Sequence, residues 1–426
     1  MAAVEPCNTD AVAQEAAAGL AAADLPGEAQ LIGFKYLGQV LPALATLRDV
    51  GCARDRAGNR TLHFDDYCKF GLLFLFNPTL RSLRALQQAS TLAKVQEKLG
   101  VSRTSLGSLS ESIAVFEPAR LEGIIADLLK KVPRLQAVGG GHLPHVLTAV
   151  DGSVIKTLSS LTQAAYLKDK NGHTHCGWRF HTHFEIDRSV PVRMEVSSAL
   201  NSGKSEEKQH LRDRLEADRC YVMDRWYAEF DLWNAIVAKG SSYVCRIRDN
   251  SNLSKLVEER PLTEAARKAG VIADQLVKLG TGKQRPDHVV RVVLVQTTPH
   301  QKTGGRKGGT AGPPSDGIIR SATNLLDVPA EIIADIYKNR WAIELFFKDW
   351  KHLLGCRHLL SHDLVGMQIH ASLAIIAWLL MVLWTGGRPS QRTYEMLGHY
   401  FAGLASADEL AAHLAKLKEP KPTAAQ

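Results

Sequence analysis

Three carboxylates in this chain of 426 residues stand where an acid could do chemistry. Glu344 lies within Tyr337–Lys351, YKNRWAIELFFKDWK. Read as a helix, this stretch gathers Tyr337, Arg340, Glu344, Lys348 and Lys351 into one arc of roughly 80°. Ile336, Ile343, Phe346, Trp350 and Leu353 take the opposite side, the one a core would claim. One acid is thus set among cations and a phenol, which suits holding phosphates beside a metal ligand. Asp151 and Asp224 each end an apolar run, HVLTAV at His145–Val150 and RCYVM at Arg219–Met223. Strand ends on one edge of a sheet are where polar groups converge over a packed core. Gly152, after Asp151, lets backbone or ligand approach closely. Taken singly, each acid reads as a turn, a cap or a solvated face. Together, three carboxylates from three segments suit Mg²⁺, which prefers oxygen ligands and keeps open positions. Two such ions about 3.5–4 Å apart activate an attacking oxygen and stabilise a leaving one at a phosphodiester. Water attack cleaves; attack by a 3′-hydroxyl joins.

The elements that must position these acids follow from patterning. Residues 1–34 read as a flexible acidic, Ala-rich tail, with five acids and no Lys or Arg. Residues 35–138 read as a helical, DNA-binding domain. Within it, Leu92–Leu99, Gly100-Val101-Ser102 and Arg103–Ile113 have helix-turn-helix spacing. Gly100 closes the first helix, Ser102 caps the second, and Arg103 and Thr104 open an exposed recognition helix. Two packed helices with an ordinary turn are the alternative. Val138-Gly139-Gly140-Gly141 marks a boundary, and residues 139–248 form the first part of a core. There Trp178–Ile186 and Val190–Ser197 flank Asp187-Arg188-Ser189 as a hairpin, and Arg219–Met223, Tyr227–Lys239 and Ser241–Ile247 read as strand, helix and strand. Residues 249–326 read as a β-rich insertion with its own small β layer, a weakly helical Lys255–Lys278 and a Gly- and Lys-rich loop at His300–Pro314. Residues 327–400 form the second part of the core, with Asp327 as helix cap and Pro329 in the first turn. Residues 401–426 are a C-terminal segment and tail. The fold class is α/β (α+β). No period of 20–50 residues recurs, which excludes a repeat architecture.

Tyr337, Arg340, Glu344 and Lys351 have the residue types and spacing of the YREK signature of bacterial insertion-sequence transposases. Asp224-Arg225-Trp226-Tyr227 resembles that family's second-aspartate motif, and Val150-Asp151-Gly152-Ser153 its first. Over roughly Leu143–Leu380 the chain resembles a DDE transposase of the insertion-sequence-four type. The resemblance implies a ribonuclease-H-like catalytic core whose last acid follows a β-rich insertion. It implies that Asp151, Asp224 and Glu344 are catalytic and hold two Mg²⁺, with Mn²⁺ able to substitute. Tyr337, Arg340 and Lys351 would contact DNA phosphates, the role that charge-assisted hydrogen bonding also gives them. The expected partners are double-stranded DNA with terminal inverted repeats, target DNA and a second copy of the chain when DNA is bound. One departure stands out. Relatives that form a DNA hairpin stack a flipped base on a tryptophan of the insertion, whereas no Trp or Phe occurs between Trp233 and Trp341. Trp226, beside Asp224, offers a stacking platform as one reading, with packing the favoured one.

Charge agrees with a polyanion partner. The formal net charge is +8, and the acidic first 34 residues leave +13 on the rest. The seven cysteines are scattered without a C-x-x-C pair, against a disulfide scaffold or zinc ribbon. The leader lacks a signal-peptide pattern, and within a helical stretch from His362 to Trp384 the most membrane-like segment, Ala371–Trp384, has fourteen residues, too few to span a bilayer, and reads as part of a buried helix. A soluble, cytoplasmic, nucleoid-associated protein is expected. His181 and His183 share a strand face and read as surface contacts to DNA or solvent, with His173, His175 and Cys176 in a polar turn; zinc is disfavoured. The loop at Thr303–Gly309 lacks Walker spacing and reads as a basic DNA contact. Two other functions fit the same residues: a catalytically idle DNA-binding relative, and a Mg²⁺-dependent nuclease that joins nothing.

Overall fold

The computed structural model describes residues 40–418, apart from 51, 53, 57, 78–79, 140–142, 144, 158–164, 169–173, 199–205, 250, 252, 254, 281–283, 298–315, 354–359, 362 and 402–403. The acidic tail, the His300–Pro314 loop and His173 lie outside the described residues, as do the side chains of His175 and Cys176. The chain divides into two units, one of residues 1–132, 353–360 and 376–426, the other of 133–352 and 361–375.

The first unit is helical. It contains α1 (Leu41–Ala45), α2 (Leu47–Val50), α3 (Phe64–Phe76), α4 (Leu83–Ala89), α5 (Ala93–Leu99), α6 (Leu106–Glu111) and α7 (Leu121–Lys131). All of α3 is buried. Its charges are tolerated there because Lys69 pairs with Asp66 at 2.8 Å and Asp65 at 3.2 Å. Gly100 ends α5 with φ +60°, the left-handed conformation a glycine allows. The expected cap of the next helix is corrected: Ser105, not Ser102, accepts the Ser108 N–H at the start of α6.

The second unit is built on one mixed sheet. Its strands are β1 (Val146–Thr157), β2 (Ala165–Lys168), β3 (Thr174–Glu185), β4 (Val190–Ser198), β5 (Arg219–Met223), β6 (Ser242–Arg246), β7 (Leu256–Glu259), β8 (Val271–Val277), β9 (Val290–Gln296) and β10 (Ile318–Thr323). The order runs β2-β3-β1-β5-β6-β10-β9-β8-β7, with β4 also paired to β3. β1, β5 and β6 are parallel neighbours, whereas β3 and β4 are antiparallel. The strands expected to form a separate layer after residue 248 instead continue this sheet through β6 and β10. Within Lys255–Lys278, β7 and β8 enclose only a five-residue helix, α10 below.

Helices cover both faces, so β5 and β6 are apolar nearly throughout. On one face lie α8 (Glu206–Asp213) and α9 (Phe230–Ala238), whose Leu211, Leu232, Trp233 and Ile236 pack with Val150, Met223, Tyr243 and Cys245. After α10 (Glu264–Lys268), the other face receives α11 (Ala330–Asn339) and α12 (Trp341–Leu353). There Trp350 meets Phe180 edge-on at 4.8 Å and Phe346 lies 5.4 Å from Phe184. The stretch read as one helix over 337–351 is two. At Arg340 the ladder tightens to i→i−3 bonds, Arg340 N–H to Tyr337 O and Ile343 N–H to Arg340 O. Pro329, not Asp327, occupies the N-cap of α11.

Next comes α13 (Leu364–Thr385), then α14 (Gln391–Phe401) and α15 (Ala407–Lys418). The side-chain amide of Gln368 bonds to β4 as a strand would, accepting from Val196 N–H and donating to Met194 O. The helical stretch expected over His362–Trp384 agrees with α13, whereas its apolar part, read as too short to span a bilayer, is longer than expected. α13 has 22 residues and mean hydropathy 1.9, long and apolar enough to cross a membrane, and 89% of that apolar window is buried in the protein.

Candidate active site

Strand register brings the first two acids together. β1 pairs with β5 at Ala149↔Val222, and β5 with β6 at Met223↔Cys245. Continued along each strand, the register sets Asp151, Asp224 and Arg246 level, on neighbouring strands about 5 Å apart. Val150, Met223 and Cys245, one level earlier, face α9. Side-chain alternation therefore turns Asp151, Asp224 and Arg246 to the opposite face, the one covered by α11 and α12. These helices supply Tyr337, Arg340 and Glu344.

Local bonds fix each acid. The Gly152 N–H donates to Asp151 Oδ1 at 2.8 Å, and the Trp226 N–H donates to Asp224 Oδ1 at 2.8 Å, which makes Asp224 the cap of the turn Arg225–Tyr227. Arg340 donates to Glu344 Oε1 at 2.5 Å. Burial pushes the Asp151 carboxyl up to about 7 against the pull of Arg340, and the like charges of Asp224 and Glu344 push the same way. The three acids thus share one electrostatic field, with Arg340 as the cation between them. Burial also raises the Tyr337 phenol, which feels Arg340, Arg246 and Asp224. Arg340 lies 5.9 Å from the Tyr337 ring centre. A cavity of about 510 Å³ opens beside this group, lined in part by Arg246, Ser321, Tyr337, Lys338, Arg340 and Trp341.

The donor chemistry fits a hard divalent cation: the ligand atoms are carboxylate oxygens, and their repulsion is what such an ion relieves. The acids are not drawn in to coordination distance. Among the described residues no three His, Cys, Asp or Glu form a group that could enclose a metal ion.

Other expected site residues lie elsewhere. Lys351 stands about two turns beyond Glu344, its ammonium 6.0 Å from the Phe347 ring centre. Arg103 and Thr104 precede α6 rather than opening it. Arg103 is exposed, whereas Thr104 is buried and its N–H donates to Ser90 Oγ at 3.2 Å, so its side chain is not presented to a groove. His181 and His183 are buried, not on a surface strand. His181 stacks on His210 of α8 at 4.1 Å and bonds Ser197 Oγ at 2.9 Å. Trp226 is exposed rather than packed.

Arg246 and Glu207 were not singled out from sequence. Arg246 carried a legible signal: it ends an apolar strand, SYVC, as Asp224 ends CYVM. Glu207 carried none, since only folding brings it to Gly152. A Cβ on Gly152 would meet Glu207 Oε1 at 2.6 Å, and that same oxygen accepts from Arg179 at 2.6 Å.

Asp151, expected at a strand end, lies midway along β1, level with Asp224 just past the end of β5. A mixed sheet with helices on both faces and two level aspartates facing a helix that carries Glu344 defines an α/β protein with a carboxylate site. Residues 142–380 match the model of the transposase DDE domain, more than half of the chain, and the chain belongs to that family. It is 25% identical over 217 residues to "Putative transposase y4zB" of Sinorhizobium fredii, a match spanning 48% of this chain and 56% of that relative's length. It is also 25% identical over 292 residues to "Probable transposase for insertion sequence element IS5377" of Geobacillus stearothermophilus, spanning 68% of this chain and 70% of the relative. Among solved structures it aligns with a piggyBac transposase synaptic complex with hairpin DNA at 9% identity and TM-score 0.39, over 93% of this chain and 82% of the other.

Proposed function

We propose that this chain is a DNA transposase of the insertion-sequence-four type, cutting at element ends and joining 3′-hydroxyl ends to target DNA. The observation that carries the reading is the level register of Asp151 and Asp224 on adjacent parallel strands, with Glu344 in the field of Asp151. Family membership supports it, as do relatives whose printed names refer to transposases and an insertion sequence element. The order β4-β3-β1-β5-β6, with its first three strands antiparallel, supports a ribonuclease-H-like core.

In this reading Asp151, Asp224 and Glu344 are the residues that would hold Mg²⁺. The bound metal supplies charge stabilisation at the attacking and leaving oxygens of the phosphodiester. The remaining work belongs to the chain. Gly152 N–H and Trp226 N–H orient the two aspartates by occupying one oxygen of each. Arg340 leaves Glu344 for a DNA phosphate, where a guanidinium forks onto two oxygens. Tyr337 donates its hydroxyl to the same backbone, and Arg246, level with Asp224, adds a second guanidinium. Lys351 contacts a phosphate farther along.

The test uses purified protein, duplex carrying the element's ends, and Mg²⁺ or Mn²⁺. Asp151→Asn, Asp224→Asn and Glu344→Gln should each cut cleavage by about 10²-fold or more, the scale of losing one preorganised charge-stabilising group. Cleavage at wild-type rate in any of the three removes that residue from the site. Strand-transfer products distinguish a transposase from a nuclease.

A further inference from the structure

On the face opposite the acids, a cavity of about 410 Å³ lies where β6 and β8 end and α9 begins. This is within the usual size of small-ligand sites, about 300–1,000 Å³. Its floor is apolar: Trp233, Ile247 and Leu279 are buried, and the half-buried Phe230 forms one wall. Its rim is cationic, formed by the exposed Arg248, Lys255 and Lys278, and among the described residues no carboxylate lines it. Among the described residues none of these three cations forms an ion pair, whereas most other arginines of the second unit do. Gly280 shapes the wall. It has φ +79°, and a Cβ there would stand 2.9 Å from Phe230 Cε2, so only a glycine lets the ring lie this close.

We propose that this pocket binds a nucleotide phosphate, with the anion on Arg248, Lys255 and Lys278 and the nucleoside's apolar face against Phe230 and Leu279. Unpaired cations gain charge-assisted hydrogen bonds from phosphate oxygens, and an aromatic wall accepts any base because every base has a π-face. Placement names the source. Ala228, four residues after Asp224, lines the pocket, and Ile247 follows Cys245, the pairing partner of Met223. On its Ala228 and Ile247 side the pocket therefore adjoins the sheet edge next to Asp224, on the opposite face. A strand with one phosphate at the acids passes over that edge to set a neighbouring nucleotide in the pocket. This rests on DNA being the substrate, as proposed above.

The experiment measures binding of a labelled single-stranded oligonucleotide to full-length protein by anisotropy, over a salt series in EDTA. No cleavage occurs there, so a failed catalytic assignment does not affect the result. Lys255→Gln/Lys278→Gln should weaken binding about tenfold and flatten the slope of log K against log[salt] by about 1. Arg248→Gln, which removes one contact rather than two, should flatten it by about half as much. Lys268→Gln, an exposed lysine paired with Glu264 at 2.7 Å, should leave it unchanged. Thermal melts confirm that each variant is folded. Slopes equal to wild type in both pocket variants overturn the proposal, as does equal flattening in Lys268→Gln. Displacement of the strand by free dAMP, lost in the double variant, supports the pocket with a free nucleotide as occupant. Lack of displacement beside a flattened slope supports it with the strand.

Discussion

Arg340 joins the acids of the site electrically. It bonds Glu344 and is the strongest influence holding Asp151 ionised against burial. Arg340→Ala should therefore cost about 10²-fold in cleavage. Arg340→Lys should restore only part, because an ammonium cannot fork onto two oxygens. Full activity in Arg340→Ala would show that its bond to Glu344 is merely structural. Arg246 makes a separate prediction. Replacing it with Gln should weaken end binding across sequences and lower the salt slope by about 1, measured with the same oligonucleotides. The spacing of Tyr337, Arg340 and Glu344 was readable in the chain because all three belong to one short segment. Arg246 was passed over because its neighbours, Asp151 and Asp224, stand beside it only once three strands are in register.

At the scale of elements, two joints hold the site in place. Glu207 of α8 presses its carboxylate on Gly152 while bonding Arg179 of β3. Gly152→Ala puts a methyl where that carboxylate lies, and overpacking of this kind costs about 1–3 kcal/mol. Urea denaturation should show the loss, and Gly152→Ala/Glu207→Ala should recover much of it; no recovery would mean the strain lies in the strand itself. The second joint launches α11. Arg291 of β9 forks onto Asp274 of β8 at 2.7 Å for each bond, and its other nitrogen reaches the carbonyls of Leu325 and Val328. Asp274→Asn leaves a buried guanidinium without its counter-charge, a loss of about 3–5 kcal/mol. A melting temperature unchanged from wild type would contradict this.

For the whole molecule, buried histidines set the response to acid. Burial pushes His181 down to about 3 and His183 and His370 to about 4. Unfolded histidine binds a proton as pH falls through about 6.5. The folded chain does not, so stability is greatest above that pH and is lost as pH falls toward 4. Each residue costs up to about 2 kcal/mol by pH 5. Denaturation midpoints at pH 7 and pH 5 should differ accordingly, and His183→Gln should reduce the difference; equal midpoints would refute the buried neutral state. The same histidines explain an error of reading. Alternation put His181 and His183 on one strand face, but it could not say that α8 covers that face.

The sequence by itself determined what is local. The apolar run before Asp224 was visible as a strand that ends there, the hairpin turned at Asp187–Ser189, and the arc of cations drew attention to Glu344; Asp151, read as a strand end in the same way, instead stands midway along β1, which runs on to Thr157 against β3. These depend on neighbours along the chain, where periodicity and turn chemistry act. Tertiary structure decided what depends on distant pairing. It joined β7–β10 to the same sheet as β1, bent the helix at Arg340, buried Thr104, and set Arg246 and Glu207 beside the aspartates. Register and face are fixed by contacts between residues tens to hundreds of positions apart, and no local pattern encodes them. The three acids were candidates from the chain alone; the level register of Asp151 and Asp224 exists only in the fold.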